Sequence, residues 1–311
     1  MTRIVIPEFM DERAVAQLKA GHDVLYAPSL VDDNPRLLVE AARADALIVR
    51  NRTQVRGELL AALSPHCKVV GRLGVGLDNI DVDGCAAAGM VVIPATGANA
   101  QSVAEYVIGT AMLLLRGAYA STGAVVQGQW PRAALSNGRE IGGKTLGLVG
   151  FGSIGQLTAA LARAVGMTVV AHDPMLADDH PAFAAHGVQP ASLETLLATA
   201  DVVSLHVPLV EATRGLFNAA RLAAMKPGAV LINTARGGIV DEPALAQALR
   251  SGHLGGAAID VFEREPLPAS AHFDGCPNLL LTPHVAGVTA EANERVSFMI
   301  AERVAQALAA A

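Results

Sequence analysis

The sequence predicts an α/β chain built from two doubly wound parallel sheets, and three observations carry that reading. The chain has 311 residues, more than one ordinary core takes up and comfortable for two domains. It is 52% hydrophobic, 17% charged and only 4% aromatic, the profile of parallel strands buried on both faces by small aliphatic residues. Short apolar runs alternate with helical patterns in two successive series, the signature of βαβ units.

In the first series the strand candidates are Ile4–Ile6, Val24–Tyr26, Leu47–Val49, Val69–Leu73 and Val91–Ile93. Asp11 is placed to cap the first helix, and Pro35 suits the first position of the second. The rhythm then breaks. Asn99–Ala120 reads as one long helix, apolar nearly all round, which must be covered by something.

The second series has strand candidates at Thr145–Val149, Met167–Ala171, Val202–Leu205, Ala229–Ile232, Gly256–Ile259 and Leu279–Leu281. Asp241, before Glu242 and Pro243, marks a helix start. A closing helix runs from about Thr289 to Ala310, with Val296, Ile300, Val304 and Leu308 spaced for one face.

Several functions are disfavoured. The net charge of −6, with no basic run, argues against a nucleic-acid partner. The cysteines Cys67, Cys85 and Cys276 are scattered without a C-x-x-C, so neither a disulfide framework nor a metal site is expected. The start of the chain lacks the apolar region of a signal peptide, and the longest apolar run, Tyr106–Leu115, is half a membrane span. A cytoplasmic protein with no membrane partner is expected.

The stretch "LVGFGSIGQ" places Gly150, Gly152 and Gly155 after a strand and at the opening of a helix. The first glycine makes the tight turn, the second admits a pyrophosphate, and the third lets helix and sheet approach. Ser153 and Ile154 lie between them, at the helix start that faces the phosphates. The next strand ends at Asp173, the spacing of an acid that binds a ribose. That acid would repel a 2′-phosphate, so NAD is the expected cofactor. Arg236, the carboxylates Asp260, Glu263 and Glu265, and His284 each follow a strand of the same series. In a doubly wound sheet those strand ends line the ligand crevice.

With these motifs assembled, the chain resembles the D-isomer-specific 2-hydroxyacid dehydrogenases. The resemblance rests on "LHVPL", "MKPGAVLINTARGGIVDEPAL", "AAIDVFEREPLP" and "TPHVAGVT", and on "GRLGVGLDNID" and "NAQSVAEYVIG" nearer the start. Within the family the phosphoglycerate dehydrogenase branch is most similar, and "EFMDE" and "LIVRNRTQVRGELL" also resemble (S)-sulfolactate dehydrogenases.

The resemblance implies a substrate-binding domain of residues 1–97 rejoined by 287–311, flavodoxin-like, with an inserted Rossmann NAD domain of residues 98–286. Closure between the domains would exclude water. It implies that Arg236 holds the substrate carboxylate and C2 oxygen, that His284 is the acid/base, and that Glu265 favours protonated His284 and raises its pKa. Gly237 and Gly238 would let the backbone turn without side chains crowding cofactor or substrate. Asp260 would face the nicotinamide amide, and His206, Thr234 and Ala235 would line the cofactor pocket. The backbone of Val75 and Gly76 would meet the carboxylate. The long helix Asn99–Ala120 would serve a homodimer interface.

Arg50 and Arg52 follow the third strand of the first series, two residues apart, and could face one anion if the strand continued through them. A similar segment lies at the phosphate in phosphoglycerate dehydrogenases, although Asn51 replaces the usual serine, and Arg132 is a weaker further candidate. The expected substrate is a three-carbon 2-hydroxy or 2-oxo acid with phosphate or sulfonate on C3. The alternatives are a hydroxypyruvate/glyoxylate-type reductase that reads no second anion, and an NAD(H)-sensing binding protein of the same fold.

Overall fold

The computed structural model describes residues 1–269 and 272–310. It divides into two units, one of Met1–Asn99 with Val288–Ala311 and one of Ala100–Gly287.

The first unit contains β1 (Arg3–Ile6), β2 (Asp23–Tyr26), β3 (Ala46–Val49), β4 (Val69–Arg72) and β5 (Val91–Pro94). All pair in parallel in the order β2-β1-β3-β4-β5. This is the flavodoxin-like order, whose ligands bind beyond the carboxyl ends of the strands. Ile4, Val5, Ile6 and the whole of β3 are buried, as expected for strands covered on both faces. Asp11 accepts from the Arg13 amide and Asp33 from the Arg36 amide, so each caps a helix start, the second with a proline in its first turn. The closing helix, Ala290–Ala310, belongs to this unit. It lays Val296, Ile300 and Val304 on the sheet, next to Gly71 of β4.

The second unit contains β6 (Thr145–Val149), β7 (Thr168–His172), β8 (Gln189–Pro190), β9 (Val202–Leu205), β10 (Val230–Asn233), β11 (Gly256–Ile259) and β12 (Leu279–Leu281). The order is β12-β11-β10-β9-β6-β7-β8, all parallel. Six strands are expected from the apolar runs; the seventh, β8, is a two-residue edge strand that has no apolar run to announce it. The order reverses at β6, between β9 and β7, which puts the crevice at the end of β6.

The long helix is shorter than expected. It spans Ala100–Arg116 and stops at Gly117, whose φ of 67° is left-handed. Glycine in that conformation is an ordinary helix terminator. A 3₁₀ turn and a short helix, Thr122–Val126, follow. The helix covers its own sheet: Val107, Ile108, Ala111, Leu114 and Leu115 pack with Leu146, Leu148, Val230 and Ile232. Its Met112 and Leu113 stay exposed, as do Tyr119, Val125, Val126 and Trp130 beyond it.

Candidate active site

The glycine loop after β6 has the geometry its sequence calls for. Gly150 has φ 96°, and a Cβ there would stand 2.6 Å from the His206 carbonyl. A Cβ on Gly155 would strike the Gly150 carbonyl at 2.6 Å, so this glycine is required for helix and turn to meet. A Cβ on Gly152 would meet nothing within 4 Å. That open cradle lies at the N-cap of the helix Ser153–Ala164, where no side chain caps the first turn. The free amides of that turn, which includes Ser153 and Ile154, fit a pyrophosphate. Asp173 stands at the end of β7; its Oδ2 accepts the Phe151 amide at 2.8 Å and its Oδ1 the Met175 amide at 3.0 Å. It is half-buried and keeps acceptor capacity for ribose hydroxyls. The residues present fit a dinucleotide.

His206 follows β9, with Nε2 3.0 Å from Ser204 Oγ. Burial pushes its imidazole down to about 4, so it is neutral at physiological pH. Thr234 follows β10, and its hydroxyl is buried with no hydrogen-bond partner among the described residues. Such an orphan is uncommon in a folded protein and suits a ligand atom. Ala235 is nearly buried, and its amide donates to Asn233 Oδ1 at 3.0 Å. Asn233 Nδ2 in turn donates to the Arg236 carbonyl at 3.0 Å. Asn233, buried at the end of β10, is thus the brace of this turn, a role that no sequence motif singled out.

The two glycines beside Arg236 do different things. A Cβ on Gly237 would fall 1.7 Å from the Phe262 carbonyl oxygen. The Arg236 turn therefore lies directly on the backbone of the Phe262–Glu265 turn. Gly238 has φ 77°, which an L side chain rarely adopts. At Gly237 it is the neighbouring backbone that needs the space.

His284 Nδ1 lies 2.7 Å from Glu265 Oε2. Glu265 Oε1 accepts the Phe262 amide at 3.0 Å. Burial pushes the Glu265 carboxyl up, but the His284 hydrogen bond, the Phe262 amide and the charges of His284 and Arg236 outweigh it, and its pKa is lowered. His284 has φ 56°, uncommon for a residue with a side chain. Its amide is held by the carbonyls of Asp260 at 2.8 Å and Thr282 at 3.0 Å.

Asp260 supplies most of that hold. It is 1% exposed, and its carboxylate accepts Thr282 Oγ1 at 2.6 Å and the amides of Val285 at 2.8 Å and Ala286 at 2.9 Å. Tyr106 of the long helix extends the network, its hydroxyl 2.7 Å from Thr282 Oγ1. The carboxylate thus holds the loop that carries His284; a buried acid is spent first on the donors around it. Glu263 is exposed, with its amide bonded to buried Glu242. Arg132 is exposed in a turn well along the chain from these strand ends.

In the first unit β3 stops at Val49, so the condition for Arg50 and Arg52 to point the same way is not met. The chain bends around Glu8 instead. Arg50 Nη2 donates to Asn293 Oδ1 at 2.6 Å, whereas Arg52 pairs with Asp32. The expectation that the two guanidiniums face one anion together is corrected: each has its own partner. Val75 and Gly76 lie in the loop between β4 and the helix Val82–Ala87, and among the described residues neither amide has a protein acceptor. Asn79 ends that loop and donates to the carbonyls of Arg50 at 3.3 Å and Thr53 at 2.7 Å, tying the two loops together.

Residues 108–286 match the family model described as D-isomer specific 2-hydroxyacid dehydrogenase, NAD binding domain. The chain belongs to the D-isomer-specific 2-hydroxyacid dehydrogenases. It is accordingly an NAD-dependent oxidoreductase that acts on the CH–OH group of a 2-hydroxy acid. It is 55% identical to an (S)-sulfolactate dehydrogenase of Chromohalobacter salexigens over 99% of each chain. It is 44% identical to a D-3-phosphoglycerate dehydrogenase of Mycobacterium leprae over 98% of this chain, but spans only 57% of that relative. A solved structure of a protein from Thermus thermophilus superposes with a TM-score of 0.89 at 33% identity, covering 99% of this chain and 97% of that one. No helix among the described residues of this dehydrogenase is long and apolar enough to cross a membrane.

Proposed function

We propose that this dehydrogenase interconverts a three-carbon 2-hydroxy acid and its 2-oxo acid, the substrate carrying a second anion, phosphate or sulfonate, on C3. The observation that carries the reading is the 2.7 Å pairing of His284 with Glu265, on a turn that packs against the Arg236 turn. His284 Nδ1 is taken by the carboxylate, which leaves Nε2 to move a proton at the C2 oxygen. Arg236 binds the carboxylate with its planar fork and orients C2. Val75 and Gly76 offer backbone amides to the same carboxylate, and Arg50 takes the second anion. When bound on the glycine loop, NAD supplies the hydride acceptor or donor. Gly150, Gly152, Ser153, Ile154 and Gly155 hold its phosphates, Asp173 its ribose, and His206, Thr234 and Ala235 line its pocket. Asp260 serves as the brace of the His284 loop.

The unit of Met1–Asn99 and Val288–Ala311 acts as the substrate domain, and Ala100–Gly287 as the NAD domain. The exposed Met112, Leu113, Tyr119, Val126 and Trp130 support a homodimer interface along the long helix, and the free thiols suit the cytoplasm. The test is His284→Asn, which keeps a polar side chain but has no titratable nitrogen. Turnover is expected to vanish while NADH binding, read by fluorescence, persists. Retained turnover would overturn the assignment.

A further inference from the structure

Tyr106 is a half-buried phenol to which the reaction assigns no part. It stands on the helix Ala100–Arg116, and its ring packs with the apolar cluster between that helix and the sheet. Its hydroxyl lies 2.7 Å from Thr282 Oγ1, which donates to Asp260 Oδ1 at 2.6 Å. A threonine hydroxyl has one proton to give. Thr282 spends it on the carboxylate, so its oxygen accepts from Tyr106 and the phenol is the donor. Burial pushes the phenol up and outweighs the Thr282 hydrogen bond, and the Asp260 charge adds to the rise, so Tyr106 keeps that proton.

The other end of this chain is the backbone around His284, in the same unit. Asp260 Oδ1 also accepts the Val285 amide at 2.8 Å, and Oδ2 accepts the Ala286 amide at 2.9 Å. His284 itself sits at φ 56°, a left-handed conformation that a residue with a side chain keeps only where its surroundings over-determine it. His284 and Val285 are exposed, so packing does not supply that hold and the hydrogen bonds do. Asp260 and Thr282 are tied to neighbouring strands, their amides donating to the carbonyls of Asn233 at 3.0 Å and Ile259 at 3.1 Å. Tyr106 joins them from a helix that Val107, Ile108 and Ala111 anchor on the sheet.

We propose that Tyr106 and Thr282 are positioning residues of the reaction: the phenol sets the Thr282 hydroxyl, the hydroxyl sets the Asp260 carboxylate, and the carboxylate holds the left-handed turn that presents the His284 imidazole. The proposal rests on the reading that His284 moves the proton at the C2 oxygen. Both residues act through the loop.

The test is a double-mutant cycle of Tyr106→Phe and Thr282→Val. It is read as kcat for NADH-dependent reduction of whichever of 3-sulfopyruvate, 3-phosphohydroxypyruvate and pyruvate the unmodified enzyme reduces fastest. Tyr106→Phe keeps the ring and its packing, and is expected to lower kcat about fivefold, the loss of one neutral hydrogen bond. The Kd for NADH, read by fluorescence, stays unchanged. Thr282→Val removes a bond to a carboxylate and lowers kcat about 10–100-fold. Thr282→Ser keeps the hydroxyl and most of the turnover. Added to Thr282→Val, Tyr106→Phe costs nothing further, because the phenol acts only through that hydroxyl. Amide hydrogen exchange at Val285 and Ala286 accelerates in Tyr106→Phe, a readout that needs neither turnover nor a folded Thr282→Val. Losses that add in the double variant overturn the inference, as does a Tyr106→Phe enzyme that loses only thermal stability or NADH affinity while its kcat stands. Turnover retained in His284→Asn would instead overturn the underlying reading.

Discussion

Glu265 Oε2 stands 2.7 Å from His284 Nδ1, while the other oxygen of the same carboxylate accepts the Phe262 amide at 3.0 Å. Both carboxylate oxygens are therefore held, and one imidazole nitrogen is committed. The pairing lowers the Glu265 pKa, so an ionised carboxylate stands against the imidazole from which reduction draws its proton. The basic limb of the pH profile of reduction therefore reads this pair. Glu265→Gln is expected to move that limb to lower pH, measured as kcat/KM for NADH-dependent reduction. An unmoved limb would remove Glu265 from the pair and bring Glu263 forward.

Arg236→Lys keeps the charge and loses the fork. The Arg236 turn is braced by Asn233 and laid on the Phe262 carbonyl, so a lysine cannot recover the geometry by shifting the backbone. A loss of about 1.5–3 kcal/mol, or roughly 10–100-fold in kcat/KM, is expected. Near-normal turnover would show that Arg236 does not orient the substrate.

Asp173→Ala should narrow the preference for NAD over NADP, chiefly through KM. Because Asp173 also holds the Phe151 and Met175 amides, Asp173→Asn serves as the companion that keeps an acceptor and removes the charge. If charge repulsion sets the preference, both variants narrow it. An unchanged ratio of kcat/KM for the two cofactors in Asp173→Asn would contradict that.

Glu8 also carries a stability prediction. Burial pushes its carboxyl up, but the amides of Arg50, Thr53 and Arg52 outweigh this and the folded pKa is lowered. A lowered carboxylate pKa stabilises the fold above the ordinary glutamate range, near ~4.3, and that contribution is lost as pH falls through the folded value. Amide hydrogen exchange at Arg50–Thr53 should therefore accelerate on acidification through that window, after correction for intrinsic rates. Glu8→Ala should show the acceleration already at neutral pH, with a local cost of about 3 kcal/mol. Protection unchanged in Glu8→Ala would mean that the loop is held by Asn79 alone.

Much of the architecture was legible because its signals are local. Apolar runs announced the strands with flanking sequence, and glycine spacing announced the cofactor loop. Arg236, Glu265 and His284 were legible because each follows a strand, and strand ends of one sheet share an edge. What was not legible is mostly long-range. Glu8 meets residues 42–45 positions away, and Tyr106 meets Thr282 across 176. No periodicity encodes such pairs. The part Asp260 plays in bracing the His284 loop is not legible for the same reason, since its partners are fixed by how the 282–286 loop returns. Arg50 and Arg52 were read by strand alternation, which lapses once Glu8 draws the backbone into a bend. The early end of the long helix was legible in principle, at Gly117.

Arg50→Ala should raise KM for a substrate with a second anion and barely affect pyruvate, a selective loss of about 1.5–3 kcal/mol. Equal losses on both substrates would show that Arg50 does not read the second anion.

The central claim is most directly tested by NADH oxidation with the unmodified enzyme on 3-sulfopyruvate, 3-phosphohydroxypyruvate and pyruvate at neutral pH. The account predicts turnover of the substrates bearing a second anion at a kcat/KM roughly 10–100-fold above pyruvate, the free energy of one charged hydrogen bond or somewhat more. Pyruvate turned over as well as either, or no turnover of any despite NADH binding, would contradict it.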